Sequence, residues 1–226
     1  MPDSPAPSYA TGLVWFRRDL RPHDHAALYH ALTRCGQVHC AFVLDRDILD
    51  ALPREDRRVE FIRESLVELD ASLRALSGHA HGGLIVLHAI ASDAIADLAQ
   101  ALQAQAVFAN HDDEPQALQR DALVRTRLAA AGRAFHTFKD HSLLERSEVL
   151  TQSGHPYSVF TPYKKAWLQK IDAYQLKSYA VERHAHRLAP RPAAHCRDVP
   201  TLASLGFEST NLAQLQLPAG ASGAQR

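Results

Sequence analysis

Five short apolar runs, separated by stretches of helical length and mixed character, fix most of what this chain can fold into. Residues 12–16 (GLVWF), 37–44 (QVHCAFVL), 84–87 (LIVL), 106–109 (AVFA) and 134–138 (AFHTF) are too short for helices. They lack the in–out alternation of a half-exposed strand, so each predicts a strand buried on both faces. The stretches between them read as helices. Residues 24–34 form the first, with Asp24 as the expected cap and Gly36 as the stop. Val59, Ile62, Leu66, Leu69, Leu73 and Leu76 are spaced 3, 4, 3, 4 and 3 apart, one continuous helical face that Gly78 ends. Ser92 is the expected cap of a helix carrying Ile95, Leu98 and Leu102, and Pro115 the first residue of another with Ala117, Val124 and Leu128 inward. Strand and helix in alternation predict an α/β fold: an open, five-stranded, parallel, Rossmann-like sheet with helices on both faces. Its crossovers should be right-handed.

The pattern changes after residue 140. Residues 149–152 and 157–160 flank Ser153-Gly154-His155-Pro156 and predict a hairpin or a tight irregular turn. Thr161-Pro162 should then open a helix carrying Tyr163, Ala166, Trp167 and Ile171. From about residue 178, Pro190, Pro192, Pro200 and Pro218 punctuate a stretch without period, an irregular linker laid over a surface. The expected organisation is a disordered lead-in (1–10), an α/β domain (11–140), a hairpin and helix completing it (141–177) and a linker (178–226).

Composition narrows the function classes. With 46% hydrophobic and 22% charged residues, the chain is neither disordered nor a disulfide-stapled miniprotein. Lys plus Arg and Asp plus Glu are 25 each, and a net charge of zero argues against a self-sufficient nucleic-acid binder, although 14 His would make the chain basic in acid. Cys35, Cys40 and Cys196 cannot all pair, and free thiols in a reducing cytoplasm are expected. No apolar run approaches a membrane span, and residues 1–10 lack the order of a signal peptide.

In open parallel sheets, ligands bind beyond the carboxyl ends of the strands, where the winding reverses. The strand ends here run into Arg17-Arg18-Asp19, Asp45-Arg46-Asp47, Asn110-His111-Asp112-Asp113-Glu114 and Lys139-Asp140-His141. Carboxylates opposite arginines suggest a pocket holding a polar ring system by hydrogen bonds. Phe16-Arg17-Arg18-Asp19 has no glycine, which excludes the usual dinucleotide turn, and no phosphate loop follows any strand. The pairs His79-x-His81, His184-x-His186 and His195-Cys196 do not have zinc-site spacing, and no serine stands on a strand-to-helix elbow.

Residues 13–21 (LVWFRRDLR), followed by His23-Asp24, resemble the opening motif of the DNA photolyase and cryptochrome family. Three further blocks agree in order and spacing: Phe42-Val43-Leu44-Asp45, then Asn110 to Pro115 with Arg120-Asp121, then residues 157–167 (YSVFTPYKKAW). The resemblance implies a deoxyribodipyrimidine photolyase, which repairs cyclobutane pyrimidine dimers in DNA with near-UV or blue light. It makes Trp15, Phe16, Arg17, Arg18, Asp19 and Arg21 family-motif residues. An antenna chromophore on the α/β domain would pass excitation energy to FAD in a C-terminal helical domain, which would also bind the damaged DNA. This chain would then be the antenna domain and linker, a monomer without catalytic residues, metal or membrane contact. A stand-alone chromophore- or nucleotide-binding module and the same domain of a cryptochrome are the alternatives. Folate-binding members of the family carry Asn-Glu where Gln116-Ala117 stands, and a histidine where Leu52 falls. The resemblance therefore favours deazaflavin or another flavin over methenyltetrahydrofolate, with Asp45, Arg58, Asn110, Asp112 and Glu114 as its expected contacts.

Overall fold

The computed structural model describes residues 7–173 and 175–225. Strands β1 (Tyr9–Phe16), β2 (Cys35–Asp45), β3 (Leu84–Ala89), β4 (Ala106–Asn110) and β5 (Ala134–Phe138) form one parallel sheet in the order β3-β2-β1-β4-β5. The winding reverses between β1 and β4. Helices α1 (Ala26–Arg34) and α3 (Arg57–Ser77) cover one face, and α4 (Ala91–Ala101) and α5 (Pro115–Ala130) the other. A one-turn helix, α2 (Arg46–Leu49), follows β2 directly. The strands alternate strictly between the two cores: Val14 and Phe16 pack under α1 and α3, Leu13 and Trp15 under α4 and α5.

Side chains satisfy terminal N–H groups at the starts of α1, α3 and α4. The periodic face of α3 is buried at Val59, Leu66, Leu69 and Leu73; Asp56 caps its start, and Gly78 ends it at φ 67°. Pro115 opens α5 as expected. Two caps differ from expectation. His25, not Asp24, caps α1, its Nδ1 accepting from Leu28 N at 3.0 Å, while Asp24 is turned to φ 45°. Ser92 is displaced from its expected role because α4 starts at Ala91, whose N–H donates to Asp45 Oδ1 at 3.1 Å. Gly36 does not stop α1: Cys35 is already extended and begins β2.

The flanking segments bring further corrections. Residues 1–6 of the expected lead-in lie outside the described residues, but Tyr9 and Ala10 belong to β1, where Tyr9 pairs with Cys35. Of the two forms expected here, a hairpin or a tight irregular turn, the segment takes the second, with Thr151 N donating to His155 O at 2.9 Å. Pro156 has no N–H with which to continue a ladder. Helix α6 (Phe160–Lys170) starts one residue before Thr161, with Pro162 still inside the first turn where its missing N–H is not needed.

The stretch after residue 178 is irregular, as expected, yet it completes a core. Short 3-10 turns at Val181–Arg187, Ala193–His195, Ala203–Leu205 and Leu212–Leu215 precede a last helical turn, α7 (Gly220–Ala224). Val181, Ala185, Leu188, Val199, Leu205 and Phe207 are buried in the cluster formed by α1 and α3. Ala189 N donates to Val38 O at 2.8 Å, extending the sheet edge by one bond. Arg187 Nη1 donates to the carbonyls of Leu32, Thr33 and Cys35, a cation at the negative end of α1. Arg191, 4% exposed, donates to Leu84 O and Arg197 O and pairs with Asp70 at 3.3 Å.

Candidate functional site

The charged loops at the strand ends mostly hold one another. Asp19 accepts from Arg17 N at 2.8 Å and Asn110 Nδ2 at 2.6 Å, and lies 2.8 Å from His25 Nε2. Because His25 Nδ1 accepts from Leu28, its proton sits on Nε2, facing Asp19. Burial alone would push the Asp19 carboxyl up, but His25 and the backbone N–H of Arg17 hold it well below the usual range. Asn110 Oδ1 accepts from Ala27 N and Asp140 Oδ1 from Ala26 N, both at 2.9 Å. Three separate segments thus satisfy the first three N–H groups of α1: His25, the end of β4 and the loop after β5. Arg17 donates to Asn110 O and pairs with Asp121 at 2.5 Å, and Arg21 pairs with Asp140 at 2.9 Å.

Beside this cap assembly lies a cleft of about 470 Å³, between the carboxyl ends of β1, β2 and β4 and the starts of α2, α4 and α5. Trp15, Phe42, Leu49, Ile62 and Leu123 make its apolar walls; Arg18, Asp45, Asp47, Asp112, Glu114 and Arg120 supply its polar edge. An apolar slot with a few convergent polar groups, at the switch point of a parallel sheet, is the usual form of a small-ligand site. It is less polar than expected from the sequence, because most of the strand-end charges are spent on one another.

Of the residues expected to contact a ligand, Asp45, Asp112 and Glu114 line the cleft; Arg58 and Asn110 do not. Arg58 folds back on its own helix cap, with Nη2 2.5 Å from Asp56 Oδ2, and stays largely exposed. The Arg58 guanidinium holds the Asp56 carboxyl below its usual range. Asn110 is 4% exposed, and both ends of its amide are engaged in the α1 cap. Among the motif residues, Trp15, Phe16, Arg17 and Arg18 line the cleft, whereas Asp19 and Arg21 face the cap assembly. Among the described residues, the Glu114 carboxylate is tied only by exposed Arg18, at 2.8 Å. Asp45 is more constrained, since it caps α4 and also accepts from Asp47 N at 3.3 Å.

Arg120, which the sequence marks only as part of a family block and not as a ligand contact, also lines the cleft. Arg120 stacks its guanidinium 5.0 Å from the Trp15 ring centroid, and Arg17 lies 4.9 Å from the same ring. Among the described residues, the buried Nε and Nη2 of Arg120 have no hydrogen-bond partner; its nearest carboxylates, Asp121 and Asp45, stand at 3.8 and 3.9 Å. Burial, then repulsion from Arg17, lowers its pKa. The signal was available: Gln116, Arg120 and Leu123 recur at helical spacing from the start of α5, facing the same side. Among the described residues, no cluster of metal-ligating side chains occurs and no helix is long and apolar enough to cross a membrane.

Comparison with known proteins gives this architecture its class. The family model for DNA photolyase matches residues 12–186, and the chain belongs to that family. A deoxyribodipyrimidine photo-lyase of Synechococcus is 32% identical over 198 residues, covering 87% of this chain and 40% of the relative. The chain therefore spans about two-fifths of the length of that relative. A class III photolyase of Agrobacterium tumefaciens superposes over 99% of this chain and 45% of its own, with TM-score 0.76 and 25% identity. An archaeal photolyase from Sulfolobus tokodaii matches 72% of this chain and 35% of its own, with TM-score 0.59 and 27% identity. That structure is described as containing two FAD molecules, with the implication of a novel light-harvesting cofactor.

Proposed function

We propose that the chain is the antenna-binding, N-terminal portion of a deoxyribodipyrimidine photolyase, and that the cleft beside Trp15 holds its chromophore. The observation that carries this reading is the cleft itself, whose volume falls within the range of about 300–1,000 Å³ usual for sites of drug-sized ligands. Its walls suit a planar ring: Trp15, Phe42, Leu49 and Ile62 exclude water from the faces, while Asp45, Asp112, Glu114 and Arg120 meet polar edges. Arg120 supports a ring that carries acceptor atoms, because a buried guanidinium without a hydrogen-bonded anion gains from one. When bound, an antenna chromophore supplies light absorption and energy transfer to a second pigment. The residues here orient it and keep it dry.

A flavin or deazaflavin is favoured over methenyltetrahydrofolate, in line with the two FAD molecules of the Sulfolobus neighbour and with Gln116-Ala117 opening α5. FAD that performs the chemistry, and the contact with damaged DNA that depends on it, belong in this reading to a further domain. The chain alone is expected to be a cytoplasmic monomer without lyase activity. The test is to titrate the purified chain with FMN, FAD, a deazaflavin and methenyltetrahydrofolate, following absorbance and flavin fluorescence. Saturable flavin or deazaflavin binding, weakened about tenfold by Arg120→Leu, is expected for the loss of a charged hydrogen bond. Retention of folate alone, or splitting of thymine dimers by this chain under blue light, would refute the assignment.

A further inference from the structure

Away from the cleft, three segments bring a hydroxyl, an imidazole and a carboxylate into line. His111, in the loop after β4, has its Nδ1 2.6 Å from Oε2 of Glu145 and its Nε2 3.2 Å from Oγ1 of Thr137 on β5. An ionised carboxylate can only accept, so the imidazole proton sits on Nδ1 and Nε2 is left to accept from the Thr137 hydroxyl. The backbone fixes these groups. His111 N donates to Phe138 O at 2.7 Å, and Glu145 opens the 3-10 turn Arg146–Glu148 with a capping box. Glu145 is 8% exposed, whereas His111 and Thr137 are half-buried. Among the described residues, Glu145 Oε1 is buried without a hydrogen-bond partner. A buried carboxylate left short of a partner is stabilised when positive charge develops on the imidazole it holds.

We propose that Thr137, His111 and Glu145 form a second active site, which hydrolyses small activated carboxylic esters with Thr137 as nucleophile. A hydroxyl within hydrogen-bond reach of a base, itself held by a third group, is the arrangement that activates an alcohol for acyl transfer. The sheet edge supplies an oxyanion donor. Ala134 N donates to Gln105 O and Phe138 O accepts from His111 N, so these residues turn their polar groups towards β4. Phe135 is turned the other way, its O accepting from Arg125 on α5. Thr137 shares that direction and presents its N–H at the open edge of β5. His111 also lines a cavity of about 80 Å³, room for a short acyl group. In the reaction, Thr137 Oγ1 attacks the ester carbonyl carbon while its proton passes to His111 Nε2, and the Thr137 N–H can donate to the oxygen that gains charge. The bond to the alcohol breaks, the alcohol leaves with that proton, and the acyl group stays on Thr137. Water then gives a proton to Nε2 and attacks the acyl carbon. Nε2 returns the proton to Thr137 Oγ1 as the carboxylic acid leaves. The site shares no residue with the cleft beside Trp15, so either assignment can fail without the other.

The test is hydrolysis of p-nitrophenyl acetate by the full chain, read as release of p-nitrophenolate. A burst should precede the steady rate, and mass spectrometry should find acetyl on Thr137 within the tryptic peptide 134–139. Thr137→Val should abolish the burst and lower kcat/KM at least about 100-fold, whereas Thr137→Ser should keep both. His111→Gln should lose as much as Thr137→Val. Glu145 is a positioning residue that acts through His111. Glu145→Gln should lower kcat at least about tenfold with KM unchanged, because an amide can leave the imidazole proton on Nε2. Valine has the branched shape of threonine and suits a strand, so the far-UV spectrum and thermal midpoint of Thr137→Val should not move. The proposal is overturned if hydrolysis by the wild-type chain does not exceed that by an equal concentration of imidazole groups, or if no burst appears. It is equally overturned if Thr137→Val hydrolyses the ester like wild type, which would place the activity on a histidine acting alone, or if acetyl appears only on lysines.

Discussion

Asn110→Ala separates a supporting role for this residue from a ligand-binding one. The substitution removes the acceptor of Ala27 N and a donor to Asp19, both in a buried setting. An unsatisfied buried partner costs about 1–3 kcal/mol. Asp19 keeps Arg17 N and His25, so the combined loss should be about 2–4 kcal/mol rather than the full sum. For a chain of this size that lowers the thermal midpoint by about 4–15 °C, measurable by calorimetry. Flavin affinity, measured well below the transition, should change by less than about twofold, because the amide does not line the cleft. Asn110→Asp adds a pH signature. It sets a second carboxylate against Asp19, where Asn110 Nδ2 now stands 2.6 Å from the Asp19 oxygen, which raises a carboxyl pKa in the folded state. Folded stability is then present in acid and lost as pH rises through the raised value, so the variant should approach wild type as pH falls towards 4. A wild-type midpoint for Asn110→Ala, combined with a large loss of flavin affinity, would refute this account and restore Asn110 as a ligand contact.

Three further outcomes follow from buried groups elsewhere. Burial, with Arg34 nearby, lowers the His30 pKa to about 4, and its ring stacks 4.3 Å from Phe138. Stability should therefore fall as pH drops from about 6.5 towards 4, and His30→Gln should flatten that part of the curve in urea titrations followed by fluorescence. Burial pushes the Cys35 thiol up to about 12 and Cys40 higher still, while Cys196 is half-exposed. Ellman's reagent should thus label one thiol in the native protein and three in guanidinium. Arg191→Met strips hydrogen bonds from three backbone carbonyls, those of His81, Leu84 and Arg197, and a partner from Asp70, which keeps Arg74 at 2.7 Å. A loss of about 2–4 kcal/mol in urea unfolding is expected; no loss would mean that the stretch after residue 178 is not part of the cooperative unit.

The sheet was legible because its signals are local. The central strands β1, β2 and β4 are largely buried on both faces and cannot alternate, whereas the edge strands β3 and β5, expected to be equally buried, are mostly half-buried. The α3 spacing, Val59 to Leu76, leaves no second period to choose from. Caps were less legible, because the groups that make them come from afar: Asp45 caps α4 from β2, and Asn110 caps α1 from β4. For the same reason only part of the expected contact set comes together at the cleft. Asp112 and Glu114 face the cleft, but their neighbour Asn110 turns inward, and the spacing of three residues in a loop carries no facing information. Arg58 fits a ligand pattern in sequence but finds Asp56 two residues away, a closer partner than the cleft offers. Arg120 shows the reverse: singled out in sequence only as part of a family block and not as a ligand contact, it is half-buried over Trp15, which β1 places beneath it.

The segment from Val181 to Leu212 bears on how this chain folds as it is made. The last strand ends at Phe138, yet the α1–α3 face stays uncovered until Val199, Leu205 and Phe207 have been synthesised. At about 5–20 residues per second, a nascent chain would spend several seconds with a finished sheet and one open apolar flank. Closing it joins Val38 to Leu188, residues far apart in sequence, so the slow step of folding is expected to be this late docking rather than assembly of the strands.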